Sequence, residues 1–458
     1  MVYPQCSSNS DAINMPLASL RVLDLGQVWA APLATRHLAD MGAEVIKVES
    51  HVRPDGRGNP LPDNIQDEDW VDLGGAYNEL HRSKKSITLN LLTPEGVNTC
   101  KELVKVSDVV VENYSPRVMK NFGLDYEVLR QIKPDIIMIS ASGYGHSGPW
   151  ANFGAYGNSL EPMCGFAAVT GYSDGVPRRS GIAYTDPTGA PIICFALLAA
   201  LNYRRRTGKG QWIDLSQYEF GVTLMAEPFI DYSMNKRIWE QIGNRSRSGA
   251  IQGCYQAKGN DKWVVITISS DAEWSALCKA LGDPLWTKDE GFSDILSRYK
   301  NHDEIDTHIA EWTEDREPYE IMDVLQGAGV TAGVVLTNKQ MLTDRHLKER
   351  DFYMEIKRPE SPLFGTRLLP GVAWKMSKTP GKFRWNAPKL GQFNKEVICD
   401  ILGMTQEELD ALEEKDVIGY QPKEGSLQPP RIVPLDELKN RGRIEEYDED
   451  YREILTGR

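Results

Sequence analysis

The sequence of 458 residues has no long hydrophobic run. No apolar stretch approaches the roughly 20 residues that a membrane-spanning helix needs. The first fifteen residues are polar and lack the apolar segment of a secretory signal. We therefore expect a cytoplasmic protein with no membrane partner.

Cysteine is also sparse, and its seven copies show no pattern. None forms a CxxC pair, and none has metal-like spacing with histidine. Free thiols in a reducing compartment are the simplest interpretation. The sequence thus predicts neither a disulfide framework nor a metal site.

Basic residues are in deficit, since 52 Lys and Arg stand against 65 Asp and Glu, a net charge of −13. A broad nucleic-acid surface is therefore not expected, because binding phosphates requires a basic face. A local basic pocket remains compatible with this balance. The cluster His81–Lys85 is either a solvated face or, because it precedes a strand of the predicted sheet, a phosphate site.

The remaining composition is that of a globular protein, with 41% hydrophobic and 26% charged residues. Short, nearly continuous apolar segments alternate with helical patterns, which predicts an α/β fold with a parallel sheet covered on both faces. Thr93 and Pro94 are predicted as the N-cap and first residue of a helix. The predicted strands are Leu20–Leu25, Glu44–Val48, Ser86–Leu89, Ser107–Val111 and Asp135–Ile139.

Changes in composition predict five segments along the chain. A leader (1–15) precedes the first part of a large domain (16–225). A smaller α+β domain (226–335) follows, and the chain then returns to the large domain (336–421). The C-terminal tail (422–458) is rich in proline, then in charge, and is expected to wrap a partner surface or stay mobile.

Two common catalytic patterns are excluded. Gly143–Gly148 matches GxGxxG, but Pro149 and Trp150 follow where a dinucleotide site requires a helix to begin. The GxSxG signature of serine hydrolases is absent. His146, within the glycine-rich segment, is the histidine with the best claim to a function.

Asp186 is the main candidate for catalysis. It lies among small residues, and Pro187 favours an extended backbone before it. A buried helix is predicted from Ile192 to Leu201, and the dipole at its N-terminus would favour an ionised carboxylate. The alternative is that Asp186 is only the N-cap of that helix.

Several motifs in fixed order resemble CoA-transferase family III, the group of formyl-CoA transferase and carnitine CoA-transferase. The resemblance is dense over residues 18–225 and looser over 240–415. The motifs are Leu23–Pro32, Leu38–Glu49, Lys84–Asn90, Val111–Pro116, Ser142–Gly145, Gly148–Pro149 and Thr207–Gln211.

This resemblance implies a Rossmann-like large domain built from both chain ends and an interlocked homodimer, or a heteromer with a paralogous subunit. It implies that Asp186 is the nucleophile, that coenzyme A enters as an acyl-CoA substrate and that no metal is needed. Residues expected at CoA are Val28, Trp29, Arg53, Leu89, Asn113, Tyr114, Lys120, Tyr144 and Gly145.

Departures from the family pattern bear on the substrate. Formyl-CoA transferase carries Gln where this chain has Trp29, and its glycine-rich active-site loop has no counterpart in 244–250. The resemblance therefore favours the branch acting on larger acids, including succinyl-CoA:benzylsuccinate transferases. We expect succinyl-CoA as donor and a larger or aromatic acid as acceptor, in an acyl pocket lined by Trp29, Tyr156 and Tyr184.

Two other functions stay open. An acyl-CoA racemase of the same superfamily needs a histidine–aspartate pair shortly after the Tyr144 loop, but residues 153–157 contain no histidine. A non-catalytic subunit of a heteromeric transferase is the second, although the presence of Asp186 argues against it.

Overall fold

The computed structural model describes residues 15–57, 70–358, 366–428 and 433–448. The predicted leader, apart from Met15, and parts of the predicted tail lie outside these ranges. The chain divides into two compact units. The first comprises Met1–Cys164, Gly181–Ala226 and Arg345–Arg458, and the second comprises Gly165–Ser180 and Glu227–Asp344. The predicted division into five segments placed residues 165–180 in the large domain, whereas here they group with the second unit. The assignment of the segments to domains stays a prediction.

The strands of the described residues form three sheets. In chain order they are β1 Arg21–Asp24, β2 Glu44–Glu49, β3 Lys85–Thr88, β4 Val109–Glu112, β5 Ile137–Ser142, β6 Gln211–Ser216, β7 Ile251–Gln256, β8 Trp263–Ile268, β9 Thr331–Val334, β10 Tyr353–Lys357 and β11 Thr366–Pro370. The first unit contains a six-stranded sheet of order β3-β2-β1-β4-β5-β6, in which every pair is parallel. The predicted α/β class with a parallel sheet is confirmed.

The helices connect and cover these strands. In chain order they are α1 Ala30–Asp40, α2 Gly75–His81, α3 Pro94–Lys105, α4 Arg117–Phe122, α5 Tyr126–Ile132, α6 Gly157–Met163, α7 Phe166–Val169, α8 Thr185–Thr207, α9 Gln217–Thr223, α10 Ala226–Asn235, α11 Asp271–Ala280, α12 Ile295–Lys300, α13 His302–Thr313, α14 Pro318–Ala328, α15 Asn338–Thr343, α16 Arg345–Glu349, α17 Gln406–Glu414 and α18 Leu435–Asn440. Short 3₁₀ turns lie at Trp70–Asp72, Leu285–Lys288 and Glu290–Phe292, and a π-helical turn at Glu396–Ile401. Within the described ranges, no helix has the length and hydropathy that a bilayer span requires.

Alternate residues of the central strands pack on opposite faces of the six-stranded sheet. Val22 belongs to one hydrophobic cluster and Leu23 to the other. On β4, Val109 and Val111 share the cluster of Val22, whereas Val110 lies with Leu23. Side chains alternate between faces with a period of two, so an apolar strand must be covered on both sides. This explains why the strands are nearly continuous hydrophobic runs.

The second unit has its own core. Its strands β7, β8 and β9 form an antiparallel sheet. Helices α11, α13 and α14 supply apolar residues that complete a cluster around Ile266, Leu277, Ile309 and Leu325.

The α8 helix begins seven residues earlier than the sequence predicts. It runs from Thr185, so Asp186 is its second residue and not part of an extended lead-in. Pro187 falls in the first turn, where the missing N–H needs no intrahelical acceptor. The expectation of extended backbone at Asp186 is therefore wrong, because proline is tolerated at a helix start. By contrast, Thr93 caps α3 as predicted, accepting the Gly96 N–H at 3.1 Å.

Candidate active site

The strand order places a crevice at the carboxyl ends of β1 and β4. In an open parallel sheet, ligands bind where the strand order reverses direction, and here β1 lies between β2 and β4. A cavity of about 240 Å³ lies at this edge. Its wall includes the turn after β1, the segment after β4, the start of α6, and Asp186.

The turn after β1 is held by side chains from other segments. Asn113 accepts the Gln27 N–H at 2.7 Å and donates to the Gln27 carbonyl at 2.9 Å. Asp55 accepts the N–H of Val28 at 2.7 Å. Val28 has φ of 64°, which is costly for a β-branched residue. These contacts stabilise a strained turn and fix where Trp29 enters α1.

Two cations of the predicted basic cluster are buried and neutralised by carboxylates. Lys84 lies 2.9 Å from Asp24, and Arg82 lies 2.9 Å from Asp40, with all four side chains buried. Burial alone would raise the pKa of Asp24, but Lys84 and Lys47 outweigh it and hold that pKa below its usual value. For Lys84 and Arg82, both interpretations of the basic cluster are wrong. These groups are neither solvated nor open to phosphate, because they are buried in ion pairs.

Asp186 stands without a countercharge. Its carboxylate lies against Gly157, where a Cβ would collide with Asp186 Oδ2 and would lie 2.6 Å from the Cβ of Ala183. Burial raises the pKa of Asp186 to about 6. Among the described residues, no side chain pairs with this carboxylate. The N-cap position belongs to Tyr184, so the capping alternative does not describe Asp186, and its lone pairs remain available.

Two effects act on the carboxylate of Asp186. It lies in the first turn of α8, where the helix dipole favours the ionised form, and burial raises its pKa because the charged form loses contact with water.

The loop after β5 carries His146 beside a second buried acid. The His146 N–H donates to Asp214 at 3.0 Å, and its Nε2 lies 3.9 Å from Glu112 Oε1. Burial raises the pKa of Glu112 to about 7. Tyr144 packs its ring against Tyr218 at 5.7 Å. His146 is not among the residues that line the cavity with Asp186.

The structure brings part of the predicted set together. Cavity-lining members are Val28, Trp29, Asn113, Tyr114, Tyr156 and Asp186. Those outside the cavity wall are Arg53 and Lys120, which are exposed, Leu89, which is buried in the core, and Tyr144, Gly145 and Tyr184. The roles predicted for these residues, in CoA binding, in the acyl pocket and, for Asp186, as nucleophile, remain predictions.

Sequence reasoning gave no site role to several cavity residues, among them Gln27, Gly157 and Gln217. The signal for Gln27 and Gln217 was present, since each follows closely after a strand of the parallel sheet, at the edge where ligands bind. Gly157 offered none, because only the approach of Asp186 shows why a side chain cannot fit there. Among the described residues, no group of three His, Cys, Asp or Glu side chains is placed to hold a metal ion.

Comparison with known proteins settles the family. Residues 17–394 match the model of CoA-transferase family III. The chain belongs to CoA-transferase family III. The family resemblance and the predicted enzyme class, a CoA-transferase with a CoA thioester as substrate, are confirmed.

Named relatives cover most of the chain. It is 35% identical to succinyl-CoA–D-citramalate CoA-transferase of Chloroflexus aurantiacus, over 88% of this chain and 98% of that protein. It is 31% identical to the beta subunit of succinyl-CoA–L-malate CoA-transferase of the same organism, over 88% and 98%. A CaiB/BaiF family protein from Brucella suis is similar in structure, with a TM-score of 0.76, 28% identity, and coverage of 85% of this chain and 100% of that chain.

Proposed function

We propose that this family III enzyme moves CoA from succinyl-CoA to a second carboxylic acid through covalent intermediates on Asp186. The observation that carries the proposal is the position of Asp186. Its carboxylate lines the cavity at the sheet's switch point, with raised pKa and without a paired cation. A carboxylate that forms an anhydride splits one difficult exchange into easier steps.

The proposed reaction begins with ionised Asp186. An oxygen of Asp186 attacks the thioester carbonyl, the C–S bond breaks, and a mixed anhydride and CoA thiolate result. The thiolate then attacks the aspartyl carbonyl, which forms an aspartyl-CoA thioester and releases the donor acid as its carboxylate. No proton is gained or lost in either step.

The second half of the reaction runs the same steps in the opposite order, with the acceptor acid in place of the donor acid. The acceptor carboxylate attacks the aspartyl thioester and expels CoA thiolate, which forms a second anhydride. The thiolate attacks the acceptor's carbonyl, and Asp186 leaves as a carboxylate. Each tetrahedral state develops an oxyanion that preorganised N–H groups would stabilise. We assign this role to the backbone around Gly143, which reaches the cavity wall.

We place CoA along the crevice between β1 and β4. Asn113 and Tyr114 follow β4, and both line the cavity beside Val28. In doubly wound folds this crevice holds a nucleotide-bearing ligand. The thioester would then extend from the β1 and β4 ends toward Asp186.

The choice of substrates follows from the relatives. Those described act, by name, with succinyl-CoA and with D-citramalate or L-malate, which are dicarboxylic acids bearing a hydroxyl group. We propose the same donor here and a dicarboxylic acid as acceptor. The larger or aromatic acceptor inferred from the benzylsuccinate branch remains a second prediction for the same assay.

We also propose that the working enzyme is a dimer, with the interlocked homodimer as the first arrangement. A heteromer is the alternative, since one relative is named as a beta subunit. A racemase is disfavoured because the described cavity wall includes no histidine to serve as a second base.

The test replaces Asp186 with Asn. We expect transfer from succinyl-CoA to fall at least 1,000-fold, on the order expected when a nucleophile is removed, while CoA still binds. Asp303→Asn is a matched control, because Asp303 is also the second residue of a helix but is exposed. Transfer by Asp186→Asn at the rate of the unmodified enzyme would refute the proposal.

A further inference from the structure

Gln217 lies in the wall of the active-site cavity and carries a buried hydrogen-bond acceptor without a donor among the described residues. It is the first residue of α9, directly after β6, and only 6% of its surface is exposed. It lines the same cavity as Asp186. Among the described residues, no group donates to its Oε1 atom.

The orientation of the Gln217 amide follows from its other end. Nε2 donates to the backbone carbonyl of Ala141 on β5 at 3.3 Å. A rotated amide would set two carbonyl oxygens against each other, so the nitrogen belongs on that side. Oε1 is therefore the amide atom that has no hydrogen-bond partner within the described part of the chain. A buried amide oxygen without a donor is unfavourable, and such an exception calls for an explanation.

The ligand group that satisfies Oε1 must be a donor. An amide oxygen only accepts hydrogen bonds, so it cannot bind a carboxylate and would favour a hydroxyl or an N–H group. CoA supplies amide N–H groups along its pantetheine arm, whereas a hydroxylated acid supplies O–H. The position of Gln217 relative to the strands of the sheet decides between these two sources of a donor.

The two sources approach from different strands. The crevice proposed for CoA lies at β1 and β4, and Gln217 follows β6, which is separated from β4 by β5. Two strand spacings amount to roughly 10 Å. Gln217 thus lies on the far side from the proposed pantetheine path, where the acyl part of the substrate would be.

We propose that Gln217 is a specificity-determining residue whose Oε1 accepts a hydrogen bond from a hydroxyl group on the acceptor acid. The enzyme is then selective for hydroxylated dicarboxylic acids over unsubstituted ones of similar length. A site that hydrogen-bonds a substrate hydroxyl discriminates strongly against an analogue that lacks it, because the buried group is left unpaired. This inference rests on the proposed transferase function.

The test compares two acceptors in the unmodified enzyme and in Gln217→Met, with succinyl-CoA as donor. L-Malate provides the hydroxyl and glutarate does not. We expect the unmodified enzyme to prefer L-malate, and kcat/KM for L-malate to fall about 10- to 100-fold in the variant. With glutarate, kcat/KM should change less than about threefold, which also shows that the variant is folded. Gln406→Met is the control, since Gln406 begins α17 on the surface.

Three results would overturn the inference about Gln217. The first is an equal fall of kcat/KM with both acceptors in Gln217→Met, which would indicate a structural or CoA-binding role. The others are an unchanged kcat/KM with both acceptors and a preference of the unmodified enzyme for glutarate. The ratio of the two acceptors is the readout. Absence of any transfer by the unmodified enzyme is a separate outcome, because it would count against the proposed function itself.

Discussion

At the scale of single residues, the site depends on a carboxylate that is kept partly out of water without an ion-pair partner. Asp24 and Asp186 show the contrast. The pKa of Asp24 is lowered by Lys84 despite burial, whereas the pKa of Asp186 is raised to about 6 because burial acts alone. Asp24 is therefore held in an ion pair, whereas Asp186 has no paired cation in the described part of the chain, which fits its proposed role as nucleophile.

This difference predicts that Asp186→Asn stabilises the protein above pH 6. Because the pKa is about 6 when folded and ordinarily 3.8, ionisation costs more in the folded state. The penalty grows as pH rises from about 4 to 6 and persists above it. We expect the variant to gain about 1 to 2 kcal/mol at pH 7.5, less than the full shift implies because the cavity is open to solvent.

Denaturant unfolding at pH 7.5 and pH 4 measures this effect. At pH 4 the gain should largely vanish, since Asp186 is then mostly protonated when folded. A gain of the same size at both pH values would show that the carboxylate's charge is not its cause.

Gly157 gives a second residue-scale prediction. A methyl group there meets Asp186 Oδ2 and Ala183 Cβ, so Gly157→Ala must move the carboxylate of Asp186, the proposed nucleophile, or separate α6 from α8. We expect kcat to fall at least 100-fold, since small misplacements cost this much in catalysis. Gly327→Ala is the matched control, because nothing lies within 4 Å of its added Cβ, and steady-state kinetics should show it fully active. Normal kcat in Gly157→Ala would show that the close approach of Gly157 and Asp186 does not position the carboxylate for catalysis.

At the scale of elements, the site is built where strands end. The turn after β1 meets the segment after β4, and Asn113 joins them through two hydrogen bonds to Gln27. The strain at Val28 is tolerated because neighbouring side chains fix the turn. Position in the sheet thus brings together residues about 86 apart in the chain.

Removing the two hydrogen bonds between Asn113 and Gln27 should weaken CoA binding. Asn113→Ala loses both bonds to Gln27, and we expect about 1 to 3 kcal/mol of lost stability and at least a tenfold rise in KM for succinyl-CoA. Asn98→Ala on the exposed face of α3 should change neither quantity. An unchanged KM in Asn113→Ala would separate the turn from CoA binding.

Some elements could be predicted from sequence because their burial leaves a clear pattern. The central strands are continuously apolar, and Thr93-Pro94 is a recognisable helix start. The edge strand β6 was missed because its first four residues alternate between half-buried and exposed, and only its last two are buried. The start of α8 was missed because Pro187 and Pro191 resemble helix breakers. Gly157 was missed because its role comes from the contact with Asp186 of α8, which no local pattern contains. Gln217 was missed because β6, the strand that it follows, was itself missed.

At the scale of the whole molecule, the question is whether the active enzyme contains one kind of chain or two. One relative is named as a beta subunit, whereas this chain supplies its own candidate nucleophile and crevice. We therefore expect the chain expressed and purified alone to transfer CoA from succinyl-CoA, and to sediment as a dimer. Inactivity alone, with activity restored by a paralogous subunit, would favour the heteromer.

The most direct measurement captures the covalent intermediate. The enzyme is incubated with succinyl-CoA without acceptor, digested and analysed by mass spectrometry, with Asp186→Asn treated in parallel. We predict that CoA, or a hydroxamate after hydroxylamine treatment, is attached to the peptide containing Asp186 and is absent from the variant. An unmodified Asp186 peptide in an enzyme that is turning over, or a label on another residue, would contradict the account.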